Sequence, residues 1–159
     1  MSTPFSPRVQ KVQEALKILG FPNEVLELQS TTRTSAEAAQ AVECRVEQIA
    51  KSIVFQGKQT HKPILVIASG PNRVNEKRIE EFISEPLGKA DADYVRKKTG
   101  FVIGGVPPIG HLEKLDIFID EDLLQYEVIW AAAGTPHAVF KLTPPDLIKM
   151  TGGRVISIK

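Results

Sequence analysis

Cysteine is nearly absent: Cys44 is the only one in 159 residues. An intrachain disulfide is therefore excluded, a reducing compartment is the default, and no Cys/His cluster has the spacing of a metal site. An excess of charge of one sign is missing too. Lys and Arg number 20 against 19 Asp and Glu, for a formal net charge of +1. That balance gives no global attraction to nucleic acid, so any phosphate contact has to come from a local patch. No apolar run reaches the roughly 18 residues of a membrane span. The first residues lack the charged-then-apolar pattern of a secretory signal. These absences predict a cytoplasmic protein with no membrane partner. Two reactive signatures are also missing, the Gly-x-Ser-x-Gly elbow and the glycine-rich phosphate loops.

What is present is ordinary for a soluble globular chain: 42% hydrophobic and 25% charged residues. The length fits one domain over residues 1–159 that buries roughly 70% of its unfolded surface. Met1 to Ser6 read as a frayed start. Ser6 and Pro7 open a helix carrying Val9, Val12, Leu16 and Leu19 on one stripe, which Gly20 ends. Thr34 and Glu37 form a capping-box pattern before the small-residue run Ala36, Ala38, Ala39, Ala41. Pro63 to Ser69 is continuously apolar and predicts a central strand buried on both faces. Helices are expected after Asn75, over Asp91 to Lys98 and after Thr143. Strands are expected at Glu24 to Leu28, Gln48 to Gln56, Phe101 to Ile103, Asp116 to Asp120, Val128 to Ala133, Ala138 to Leu142 and Arg154 to Ile158. The irregular alternation argues against a doubly wound sheet. It predicts an α+β fold, with about seven strands in a mixed, curved sheet surrounded by short helices.

Three stretches stand out chemically. In the Gln48 to Gln56 strand, alternation puts Lys51 on one face with Ile53 and Phe55. If that face is buried, the ammonium needs polar partners or loses its charge. If the strand begins at Ser52, Lys51 is simply solvated. The second stretch is Gly104-Gly105-Val106-Pro107-Pro108-Ile109-Gly110. Its glycines allow close approach and offer backbone N–H donors, and its prolines stiffen the bend. Such a loop either binds a carbonyl or is a structural turn. The third, Ala133-Gly134-Thr135-Pro136-His137, presents a hydroxyl and an imidazole or merely joins two strands. Arg96, Lys97 and Lys98 with Lys89 form a basic run, read as a solvated helix face or a contact for a nucleic-acid backbone. His61 reads as solvated, and His111 follows the glycine–proline loop.

In this order and spacing, Lys51-Ser52-Ile53-Val54-Phe55, the Gly104–Gly110 loop and Gly134–His137 resemble the YbaK family, also called the prolyl-tRNA synthetase-associated domain family. The resemblance runs from the first helix to the final strand. It implies a barrel-like sheet and a freestanding enzyme that hydrolyses the ester of mischarged aminoacyl-tRNA. The partners it implies are the tRNA acceptor end and prolyl-tRNA synthetase, without DNA, cofactor or metal. The substrate it implies is tRNA-Pro carrying a small non-cognate amino acid. The family lysine falls on Lys51, which would hold phosphate or ribose oxygens and place the ester. Gly104, Gly105 and Pro108 match the family's glycine–proline element, whose N–H groups would bind the developing oxyanion. Ser52, Val106, Pro107, Gly134, Thr135 and His137 would line the same pocket. Phe5, Phe21 and Leu28 are candidates for its amino-acid end. The alternative is a non-catalytic module that holds aminoacyl-tRNA, a nucleotide or a protein partner in this pocket.

Overall fold

The computed structural model describes residues 5–159, so the first four residues of the expected frayed start lie outside it. Five α-helices, α1 (Pro7–Ile18), α2 (Ser35–Val42), α3 (Glu76–Ile83), α4 (Ala92–Thr99) and α5 (Pro144–Thr151), surround one mixed sheet. Its eight strands are β1 (Val25–Glu27), β2 (Ile49–Gly57), β3 (Pro63–Ser69), β4 (Leu87–Lys89), β5 (Asp116–Asp120), β6 (Ile129–Ala132), β7 (Ala138–Leu142) and β8 (Arg154–Ile156). They follow the open order β1-β7-β6-β2-β3-β5-β8, with β4 added on β2.

The sheet is built around β3, every residue of which is buried. Leu65 and Ile67 join one core cluster with Val12, Leu16, Phe101 and Phe140. Ile64, Val66 and Ala68 join the other, with Phe55, Ile79 and Phe118. The unbroken apolar run is therefore needed on both faces, because apolar layers cover the strand on each side. Pro63 sits at the first position of β3, where a missing ladder donor is tolerated.

The neighbour of β3 places the site. β2 pairs with β3 along Ala50 to Gln56. On its other edge it meets β6 only at Ile49 and Ala50 and β4 only from Phe55 onward. Between those contacts Lys51 to Val54 face no partner strand among the described residues. The central sheet thus keeps a local gap beside the lysine.

Several expectations are corrected. Phe101 to Ile103 is not a strand. The Thr99 hydroxyl accepts from the Phe101 N–H at 3.0 Å, and the Gly105 N–H donates to the Val102 carbonyl at 3.0 Å. These local bonds turn the chain and remove it from any ladder. Leu87–Lys89 forms a strand although Pro86 and Gly88 carry the chemistry of a helix end; β2 recruits it by pairing Gln56 with Gly88. Ser6 occupies the expected cap position, but its hydroxyl makes no capping bond. Thr34, Asn75, Asp91 and Thr143 do cap their helices through side-chain oxygens.

Candidate active site

Lys51 lies within β2, two residues after its start at Ile49, so the solvated reading of this side chain does not hold. It shares the face of Ile53 and Phe55, which pack in the second core cluster. The ammonium is half-buried and donates to the Gly70 carbonyl at 2.9 Å. Its pKa lies below the ordinary 10.5, chiefly because burial disfavours the charge and also because Arg73 repels it; Asp120 pulls the other way. Gly70 is tightly fitted: a side chain there would meet the Val46 carbonyl oxygen at 2.3 Å. The lysine is therefore tethered to a turn that cannot easily shift.

The glycine–proline loop reaches the same place from the other side. Gly104 takes φ +90°, a left-handed conformation that favours glycine. Gly105 packs backbone to backbone: a Cβ there would lie 2.7 Å from the Thr135 Cα. Its carbonyl accepts from the Gly134 N–H at 2.9 Å, and its own N–H is committed to Val102. Gly105 is thus not free to serve as the expected oxyanion donor in this conformation. The Gly104 N–H has no backbone acceptor among the described residues. Pro107 and Pro108 are buried. The Pro107 carbonyl holds His111 Nε2 at 2.6 Å, so the imidazole latches the loop.

Lys51, Ser52, Gly104 and Val106 line one cavity of about 60 Å³, together with Thr32, Arg33, Thr34, Ser35, Trp130 and the alanines Ala38, Ala50, Ala131 and Ala132. Two hydroxyls of that wall, Thr32 Oγ1 and Ser52 Oγ, are buried without a hydrogen-bond partner. Gly105, Pro107, Pro108, Gly134, Thr135 and His137 do not line it; most of them brace it. The Pro136 and His137 carbonyls accept from the Thr32 and Leu28 N–H groups at 2.6 and 2.7 Å, which fixes the segment carrying Thr32. His137 is exposed, with Nδ1 at 3.2 Å from the Ser30 carbonyl. Phe5 and Phe21 lie instead along a separate groove with Gln13 and Lys17. Leu28 is absent from the cavity wall, as are Arg96, Lys97, Lys98 and Lys89.

Thr32, Arg33 and Trp130 escaped the sequence reading. Thr32 and Arg33 sit in a polar stretch without periodicity, and Trp130 sits in an apolar strand that reads as core. Chemically the wall offers cations, hydroxyls and backbone amides. No carboxylate, imidazole or thiol lines it, and among the described residues no group of three or more His, Cys, Asp or Glu could hold a metal ion.

The comparison with known proteins points to an aminoacyl-tRNA editing domain. The family model for that domain matches residues 29–150, and the chain belongs to the family. A crystal structure described as a candidate trans-editing enzyme for prolyl tRNA synthetase superposes with a TM-score of 0.93 at 45% identity, covering 98% of this chain and 99% of the other. YwhH of Bacillus subtilis (strain 168), an uncharacterized protein, is 26% identical over 84% of each chain. EbsC of Enterococcus faecalis, named as a candidate Cys-tRNA(Pro)/Cys-tRNA(Cys) deacylase, is 24% identical over 81% of this chain and 79% of its own. Among the described residues no helix is long and apolar enough to cross a membrane.

Proposed function

We propose that this protein hydrolyses, in trans, the ester of mischarged aminoacyl-tRNA, with tRNA-Pro carrying a small non-cognate amino acid as the substrate. The observation that carries the reading is the meeting of Lys51 with Gly104 and Val106 in one small cavity. The names of the relatives point the same way: one refers to prolyl tRNA synthetase, another to Cys-tRNA(Pro). Prolyl-tRNA synthetase, which makes the mischarged product, is the natural partner.

The chemistry follows from the wall. Lys51, with Arg33 in the same wall, holds the phosphate or ribose oxygens of the acceptor end and sets the ester against the glycine loop. Water attacks the carbonyl carbon, and the Gly104 N–H stabilises the oxyanion as it forms. The intermediate collapses by expelling the ribose oxygen, which takes up a proton, releasing free amino acid and tRNA. With no carboxylate or imidazole in the wall, the vicinal ribose hydroxyl is the group placed to assist the water. Gly105, Pro108, Gly134 and Thr135 act by holding the loop, not by touching substrate. The small volume makes the site a sieve that rejects larger amino acids by clash.

The test is deacylation of a panel of mischarged tRNAs by the wild type and by Lys51→Ala. The expected result is turnover of tRNA-Pro carrying a small amino acid, with kcat/KM lowered at least about 100-fold in the variant. Saturable binding of aminoacyl-tRNA with no product would replace the hydrolytic reading with the binding-module one.

A further inference from the structure

Asp120 is fully buried at the end of β5, and the proposed chemistry gives it no role. Register shows where it points. Lys51 pairs with Ala68 across β2 and β3. The parallel pairing of Ile67 with Ile119 puts Ala68 beside Asp120 on the same face. Lys51, Ala68 and Asp120 thus form a row over three strands, two inter-strand spacings or about 10 Å from end to end. The middle residue is an alanine, so no bulky side chain separates the ammonium from the carboxylate.

The carboxylate also grips the turn that holds the lysine. Asp120 Oδ2 accepts from the Ser69 N–H at 3.0 Å and from Asn72 Nδ2 at 2.8 Å. Gly70, whose carbonyl accepts from the Lys51 ammonium, lies between those two residues. The Ser69 hydroxyl donates to the Glu47 carbonyl at 2.7 Å, and the Asn72 N–H closes on the Ser69 carbonyl at 2.9 Å. Asp120 Oδ1 separately accepts from the Asp122 N–H at 2.9 Å, capping the following turn. Capping alone would use one oxygen. The second is committed to the Ser69–Asn72 turn.

We infer that Asp120 is the positioning residue for Lys51, fixing the turn that receives its ammonium and setting a buried carboxylate on the same face of the sheet. The other charges around Lys51 are unhelpful or occupied. Arg73 follows the turn and repels the lysine. Arg33 lines the same cavity from the segment before α2. Glu47 is paired with Arg45 at 2.6 Å, and Asp122 with Lys159 at 2.9 Å.

The experiment is an NMR titration of the Lys51 side chain in the wild type, Asp120→Asn and Asp120→Glu, assigned by the signal lost in Lys51→Arg, with folding checked by thermal melting. Asp120→Asn should lower the Lys51 titration point by about half a pH unit or more, and Asp120→Glu should restore most of it. A folded Asp120→Asn whose Lys51 titrates where the wild type does overturns the inference. If that variant does not fold, Asn72→Ala serves: it removes the side-chain bond from Asp120 to the turn, leaving the Ser69 N–H bond and the charge in place. Acylation of Lys51 by a lysine-reactive ester should then quicken several-fold, and an unchanged rate overturns the inference. Only the catalytic meaning of this placement rests on the deacylase reading. If Lys51 shifts as stated while the wild type deacylates nothing, the reading fails and the positioning stands.

Discussion

At the scale of single residues, Lys51 and His111 both sit where burial works against their charge, with different consequences. The folded chain binds the Lys51 proton less tightly than the unfolded chain does, so at neutral pH the ammonium costs stability. That cost is relieved as pH rises through the lowered pKa toward 10.5. Lys51→Met should therefore melt about 1–4 °C higher than the wild type by calorimetry while losing its activity, as expected of a group kept for function. His111 has its pKa pushed below 6.5, first by burial and then by the nearby Lys11 charge, although the bond to Pro107 opposes both. Its contribution to stability is complete above pH 6.5 and is lost as pH falls from there through the lowered folded value. Melting temperature should drop on acidification in that window, and His111→Gln, which does not titrate, should flatten the drop. Val106 is a buried aliphatic residue of the cavity wall, 3% exposed, on the glycine–proline loop. Val106→Ala should raise kcat/KM for substrates one or two methylenes larger by about 10-fold, measured on the same tRNA panel.

At the scale of elements, local chemistry and apolar runs were legible and long-range recruitment was not. β3 could be read directly, because seven apolar or small residues in a row admit few other uses. The capped helices could be read for the same reason: Thr34, Asn75, Asp91 and Thr143 each carry the oxygen that a first turn needs. β4 could not, since Leu87-Gly88-Lys89 becomes a strand only because β2 offers it an edge. In the site, Lys51 and the glycine loop were visible as oddities of pattern. The roles within that loop were not. Whether a given amide is free depends on its partner, and Gly105 spends its N–H on Val102. Gly105→Ala tests the packing role. The added methyl meets the Thr135 backbone, which has no rotamer to yield, so urea unfolding should show a loss of roughly 1–3 kcal/mol. Deacylation should weaken along with it.

At the scale of the whole molecule, the cavity is assembled from four distant parts of the chain: Thr32 to Ser35 with Ala38, Ile49 to Ser52, Gly104 with Val106, and Trp130 to Ala132 with Val139. The strand edge left open from Lys51 to Val54 gives these parts a place to converge. The convergence also explains how a chain of near-zero net charge can read as a tRNA-handling protein. Its cations count where they are gathered, not in their sum.

That scattered origin has a consequence for dissection. A cut in the exposed hairpin tip between Gln59 and Thr60 would leave Lys51 on one fragment and Gly104 on the other. Neither piece alone would retain partial function; mixing the two should revive it only to the extent that β3 finds β2 again.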